Sequence, residues 1–189
     1  MEIRDGHLSY IRDFLSPQEG SELLRLWIEN LPWSQDKIRL FGKWLDIPRL
    51  QCWFGDPGAT YAYSGLSMKP KPWTKELMLL KLKIEAMAQI DFNSVLVNLY
   101  RNGRDSNGWH SDDEKELGEK PTIASLSLGS PRVFQLKHKE TGERQDILLE
   151  SGSLLIMSGE LQKYWKHQIP KKTKLTEPRL NLTFRKILI

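Results

Sequence analysis

His110-Ser111-Asp112 puts an imidazole and a carboxylate two positions apart. In an extended segment such residues project to the same side, about 6.6 Å apart along the chain, near enough to converge on one ion. A tripeptide of this kind is commonly a surface turn, so a third ligand decides its meaning. Only four histidines exist: His7, His110, His138 and His167. His138 stands between Lys137 and Lys139 and reads as a solvent-exposed imidazole at the edge of a charged loop. His167 lies in Tyr164-Trp-Lys-His-Gln-Ile169, which reads as a strand with a polar group projecting among apolar neighbours. Two imidazoles and one carboxylate are the ligand set of a non-haem ferrous centre. Such a centre holds one face of the metal and leaves the opposite positions open for a co-substrate and oxygen.

Arg179-Leu-Asn-Leu-Thr-Phe-Arg185 alternates strictly, with Arg179, Asn181, Thr183 and Arg185 on one face and Leu180, Leu182 and Phe184 on the other. Two guanidinium groups on a strand buried by its apolar side are costly unless anions meet them. A solvated outer face would also accommodate them. The functional reading is that Arg179 makes a bidentate contact with the distal carboxylate of 2-oxoglutarate while the metal holds the keto-acid end. In Ser94–Tyr100, Asn98 and Tyr100 share a face opposite Val95, Val97 and Leu99, and can donate to the same co-substrate. The chemistry these residues support is iron- and 2-oxoglutarate-dependent oxygenation.

Elements that would carry these groups are legible. Ser16-Pro17-Gln18-Glu19 is a helix start, with a capping serine, proline at the first helical position and a glutamate reaching back. Leu23, Leu24, Trp27, Ile28 and Leu31 then keep helical spacing, and a second helix is expected from Thr74 to Ala88 with Leu77, Leu80, Ile84 and Met87 on one side. From residue 94 the period changes to two, in short runs at 94–100, 123–128, 132–138, 146–149, 153–157, 164–169 and 180–187. The expected fold class is α+β, a double-stranded β-helix (jelly-roll) core backed by N-terminal helices. Residues 38–73, with Asp56-Pro57-Gly58 and Lys69-Pro70-Lys71-Pro72, read as hairpins and loops forming a lid over the site. One domain is expected over 1–189, with helices and lid in 1–93 and the catalytic core in 94–189.

A chain of 189 residues with 39% hydrophobic content suits one domain with a substantial core. Its formal net charge of +4 suits a polyanionic partner. Cys52 is the only cysteine, which rules out an intrachain disulfide, points to a reducing compartment and reads as a small buried hydrophobe. No apolar run approaches the ~18 residues of a membrane span, and Met-Glu-Ile-Arg-Asp lacks the design of a signal peptide.

Asn98-Leu-Tyr100, His110-x-Asp112-Asp113-Glu114, His167 and Arg179-x-Asn-Leu-Thr-Phe-Arg185 together resemble the AlkB family of nucleic-acid dealkylating dioxygenases, in the right order and over nearly the whole chain. Phe41-Gly42-Lys43-Trp44, Pro48-Arg49, Trp53-Phe-Gly-Asp56 and Tyr61-Ala-Tyr63-Ser-Gly65 are similar to the branch that prefers double-stranded DNA. The resemblance implies that His110, Asp112 and His167 bind Fe(II), and that Asn98, Tyr100, Arg179, Asn181 and Arg185 bind 2-oxoglutarate. It places Tyr61, Tyr63, Asp113, Glu114, Phe41 and Arg49 at the substrate: Tyr63 stacked on the base against His110, Asp113 and Glu114 near the base edge, and Phe41 at the tip of a hydrophobic finger. Leu99 stands where many relatives have arginine, and Tyr63 where that branch has phenylalanine, adding a hydroxyl that bears on base preference. The chain starts close to the catalytic core, without the long leader of nuclear relatives, as expected of a compact bacterial form.

What the resemblance implies about the reaction is oxidative demethylation of 1-methyladenine and 3-methylcytosine in alkylated, double-stranded DNA. Fe(II), 2-oxoglutarate and O2 are consumed or used, and succinate, carbon dioxide and formaldehyde are released. The lesion must be flipped from the stack, which is easiest where alkylation already blocks pairing. Arg39, Lys43, Arg49, Lys69, Lys71, Lys171, Lys172 and Lys174 lie in segments expected around the cleft and suit phosphates. A monomer with no obligate protein partner and no membrane is expected, cytoplasmic in a bacterium and at the nucleoid during repair, or nuclear in a eukaryote. Two other readings stand beside this one: the same chemistry on RNA, protein or a small molecule, and a non-catalytic metal-binding jelly roll that binds DNA.

Overall fold

The computed structural model describes residues 2–40, 42–59, 61–63 and 66–188, with side chains at all of these except 2, 38–40, 61–63 and 66–68. In chain order the strands and helices are β1 (Glu2–Ile3), β2 (Gly6–Ile11), α1 (Pro17–Asn30), β3 (Lys37–Leu40), β4 (Lys43–Asp46), β5 (Leu50–Gly55), β6 (Tyr61–Tyr63), β7 (Leu66–Met68) and α2 (Lys75–Ala88). There follow β8 (Ser94–Tyr100), β9 (Asn107–His110), β10 (Ile123–Gly129), β11 (Arg132–His138), β12 (Arg144–Leu149), β13 (Ser153–Ser158), α3 (Leu161–Tyr164), β14 (Trp165–Ile169) and β15 (Arg179–Arg185).

A seven-stranded sheet has the order β1-β2-β13-β10-β15-β8-β5, and a four-stranded sheet the order β12-β11-β14-β9. All pairings in both are antiparallel. Alternation along the central strands sorts the side chains into two layers. Val95, Val97, Leu99, Leu126, Leu180, Leu182 and Phe184 face a core completed by Trp27 of α1 and Leu77, Leu80 and Ile84 of α2. Leu96, Tyr100, Leu155 and Met157 instead face Phe134, Leu136, Trp165 and Ile169 of the smaller sheet. This is a jelly roll with helices on one outer face.

The helix starts form as their sequences require. Ser16 caps α1 in a full capping box with Glu19, and the Thr74 hydroxyl accepts from the Leu77 amide at the start of α2. Met87, expected on the buried side of α2, is exposed, in the last turn before the left-handed cap Gln89. Cys52 is buried as expected. Among the described residues no helix is long and apolar enough to cross a membrane.

Three expectations are corrected. Residues 38–73 do contain two hairpins, β3–β4 and β6–β7, but β5 between them is an edge strand of the large sheet, paired with β8. Cys52 and Phe54 enter the helix-side core and Trp53 the layer between the sheets, so β5 is framework rather than lid. A boundary at residue 94 therefore does not follow the sheet, which also takes β2 from the N-terminal part against β13. His138 is 1% exposed, not solvated. Its Nδ1 accepts from the Glu140 and Thr141 amides, its Nε2 donates to Asp5, and the rings of Tyr164 and Trp165 pack on it. The turn joining β1 and β2 brings Asp5 to it, a tertiary contact that no local charge pattern announces.

Candidate metal and co-substrate site

His110 ends β9 and His167 lies on β14, and the two are direct cross-strand partners with ring centroids 4.3 Å apart. Asp112, two residues past His110, is brought to them by contacts from α3 and the start of β14. The Ser111 hydroxyl donates to the Trp165 carbonyl at 2.9 Å, and the Asp112 amide donates to Gln162 Oε1 at 2.9 Å. One ligand-type atom from each of His110, Asp112 and His167 lies within 4.8 Å of the others, a group that could hold a metal ion.

Donor chemistry fits a divalent cation. The His110 Nδ1 lies 2.7 Å from the Gly108 carbonyl, which can only accept, so Nδ1 carries the proton and Nε2 keeps its lone pair. Asp112 Oδ2 is held by Arg185 Nη2 at 3.0 Å, while Oδ1 and His167 Nδ1 are buried without a hydrogen-bond partner. Burial alone would push the Asp112 carboxyl up, but Arg185, His167 and His110 together bring it down to about 2. Burial, reinforced by His110, drives His167 down to about 3, and burial also lowers His110. At neutral pH the three therefore present one carboxylate and two neutral imidazoles, the forms a metal requires.

β15 supplies the other wall. Arg179, Asn181, Thr183 and Arg185 all face the cavity, together with Asn98 and Tyr100 of β8. Arg179 Nη2 donates to Ser127 Oγ at 2.9 Å, and its guanidinium lies 5.1 Å from the Tyr100 ring centroid. Its Nε and Nη1 make no well-formed hydrogen bond, although it is 2% exposed. Burial lowers it to about 10, opposed by Tyr100, so it remains a cation at neutral pH. A buried guanidinium with no carboxylate partner among the described residues suits an anion.

Other sequence-derived residues fall differently. Arg49 is 3% exposed and lines the cavity, with Nε donating to Asn98 Oδ1 at 2.8 Å, so it is not available at the surface for a phosphate. Asp113 turns outward to Lys139 at 3.3 Å, and neither Asp113 nor Glu114 lines the cavity. Tyr61 and Tyr63 are placed on β6 by their backbone, their side chains being outside the described set, and Phe41 lies outside the described residues. Lys43, Lys69, Lys71, Lys171, Lys172 and Lys174 are exposed.

Sequence reasoning missed Ser125 and Ser127 of β10, which hold Asn181 Nδ2 at 2.8 Å and Arg179 as above. The period-two serines in Ile-Ala-Ser-Leu-Ser-Leu-Gly were the available signal. The apolar cavity walls from Leu96, Phe134 and Met157 were missed as well, since nothing local separates them from ordinary core.

Comparison with known proteins agrees with this geometry. The family model described as the 2OG-Fe(II) oxygenase superfamily matches residues 7–185. The alpha-ketoglutarate-dependent dioxygenase alkB homolog 3 of Homo sapiens is 42% identical over 184 residues, covering 92% of this chain and 64% of the relative. The DNA oxidative demethylase ALKBH2 of Mus musculus is 42% identical over 160 residues, covering 80% and 67%, and that of Arabidopsis thaliana 35% over 214 residues, covering 97% and 68%. The chain thus spans roughly two thirds of the length of these relatives. The solved structure of OsALKBH1 superposes with a TM-score of 0.68 at 20% identity, covering 98% of this chain and 100% of the other, which supports the fold. With a family match running from His7 to Arg185 and relatives that carry the AlkB name at about 40% identity, the chain belongs to the AlkB family of the 2OG-Fe(II) oxygenase superfamily.

Proposed function

We propose that this chain repairs DNA by oxidative demethylation of N-alkylated bases, with 1-methyladenine and 3-methylcytosine in duplex DNA as substrates. The observation that carries the proposal is the convergence of His110, Asp112 and His167 beside a buried Arg179 that no carboxylate of the described residues neutralises. Relatives named DNA oxidative demethylase support the choice of DNA.

Ferrous iron, with 2-oxoglutarate and oxygen, supplies the power to hydroxylate an N-methyl carbon while the 2-oxo acid becomes succinate and carbon dioxide. His110, Asp112 and His167 would hold the metal on one side only. Arg179 would take the distal carboxylate of 2-oxoglutarate through its guanidinium, with Tyr100 and Asn98 beside it. Arg185 keeps Asp112 ionised and oriented. Leu96, Phe134 and Met157 exclude water from the reacting carbon. Once hydroxylated, that carbon is a hemiaminal, which collapses to formaldehyde and the unmodified base.

A methylated base of this kind is a cation. Tyr63, on the β6–β7 hairpin, would attract it through its ring face by roughly 0.5–2 kcal/mol, a gain absent for a neutral base. Flipping costs least where the methyl group already prevents pairing.

The test is incubation of the purified chain with iron, 2-oxoglutarate and oxygen on duplex and single-stranded oligonucleotides carrying 1-methyladenine. Formaldehyde release with restoration of adenine is expected, and H110A, D112A and H167A should each abolish it. Succinate release without repair would point to another prime substrate. No succinate at all would favour a non-catalytic metal-binding module.

A further inference from the structure

Arg132 opens β11, is 2% exposed and does not line the cavity. Its Nη2 donates to the Asp105 carbonyl at 3.0 Å and to the Pro170 carbonyl at 2.5 Å. These carbonyls belong to two loops that leave the site, 101–106 after β8 and 170–178 between β14 and β15. The loops are clasped: the Gly103 amide donates to the Leu175 carbonyl, and the Lys172 amide donates to the Gly103 carbonyl. A Cβ at Gly103 would stand 1.8 Å from the Lys172 oxygen, so nothing but glycine permits this approach.

The Arg132 guanidinium also lies 5.6 Å from the centroid of the Tyr100 ring, the ring that Arg179 approaches at 5.1 Å. Two buried cations thus share one aromatic side chain. Asp105 is committed to Arg101 by bonds of 2.8 and 2.9 Å and offers Arg132 its carbonyl, its carboxylate offsetting only part of the burial. Neither Arg132 nor Arg179 has a carboxylate within ion-pair distance among the described residues. Each also works against the other, since Arg132 disfavours the charge on Arg179. A neutral amide donor would meet these carbonyls without the cost of burying a charge. Such a surplus is useful where a doubly charged anion binds.

We propose that Arg132 is a positioning residue of the 2-oxoglutarate site, which holds Tyr100 in place and stations a second positive charge just outside the cavity wall, so that the pocket favours a dianionic 2-oxo acid over a monoanionic one. This rests on the reading of the cavity as a 2-oxoglutarate site.

The experiment is calorimetric titration of 2-oxoglutarate, and separately of the monoanion 2-oxobutyrate, into the Fe(II)-loaded full chain under argon, for wild type, R132Q and R132K. Glutamine keeps an amide donor for the carbonyls without the charge; lysine keeps the charge without the planar fork. R132Q should bind 2-oxoglutarate roughly tenfold more weakly with 2-oxobutyrate unchanged, while R132K stays within about threefold of wild type. Unchanged 2-oxoglutarate binding in R132Q, an equal loss for both acids, or R132K as weak as R132Q would overturn the inference. Either variant decides alone if the other does not fold: a selective loss in R132Q or retention in R132K supports it, and the reverse refutes it. A wild-type chain that takes up no 2-oxoglutarate would overturn the cavity reading itself, an outcome distinct from wild-type binding with an indifferent R132Q.

Discussion

Arg185 Nη2 stands 3.0 Å from Asp112 Oδ2, an ion pair buried on both sides that joins residues 73 positions apart. It ties the end of β15 to the segment after β9, and so ties the co-substrate wall to the metal ligands. The contact uses one carboxylate oxygen and leaves the other for a cation.

Removing the guanidinium strands that carboxylate. R185M should lower the stability of the metal-free protein by about 3–5 kcal/mol, the usual cost of breaking a buried pair from one side. Fe(II) should restore part of the loss, because it supplies a replacement cation. Urea denaturation under argon with and without Fe(II) checks this; the same deficit in both conditions would show that Asp112 does not depend on Arg185 for its charge.

Arg179 is expected to matter through its shape as well as its charge. R179K keeps a cation but loses the planar fork, and should raise the KM for 2-oxoglutarate thirty- to a hundredfold, the equivalent of roughly 2–3 kcal/mol for a charge-assisted bidentate contact. Initial rates of succinate formation against 2-oxoglutarate concentration measure it. A KM near wild type would remove Arg179 from the role of anchor.

The metal-free site also predicts a pH dependence of folding. His167 is held at about 3 in the folded chain, below its ordinary value of 6.5, so between these limits the unfolded chain binds the extra proton. Stability should therefore fall as pH drops below about 6.5, with a limiting slope of about 1.4 kcal/mol per pH unit from this group. Asp112, lowered from 3.8 to about 2, adds a further loss only below pH 4. Urea midpoints between pH 7 and 4.5 should fall less steeply in H167N than in wild type. Parallel profiles would mean that His167 takes up its proton in the folded state.

Phe41 tests strand preference. If its ring fills the gap left by the flipped base, F41A should slow repair of duplex oligonucleotides by an order of magnitude or more, since unstacking costs a few kcal/mol per step. Single-stranded repair should hardly change. Equal loss on both substrates would assign Phe41 to folding instead.

Short local patterns are enough to announce which chemistry is present. His110-x-Asp112 and the alternation of Arg179, Asn181, Thr183 and Arg185 are local patterns with period two, and period two fixes the face a side chain takes wherever the strand lies. The helix start at Ser16 was legible because a cap is satisfied within four residues. Tertiary structure alone decided what depends on strand order. That His167 faces His110 across β14 and β9, that β5 is framework, that Arg49 reaches Asn98 from inside and that His138 is buried against Asp5 all follow from pairings between distant segments. Such pairings are set by the burial of whole sheet faces, and no short stretch of residues encodes them.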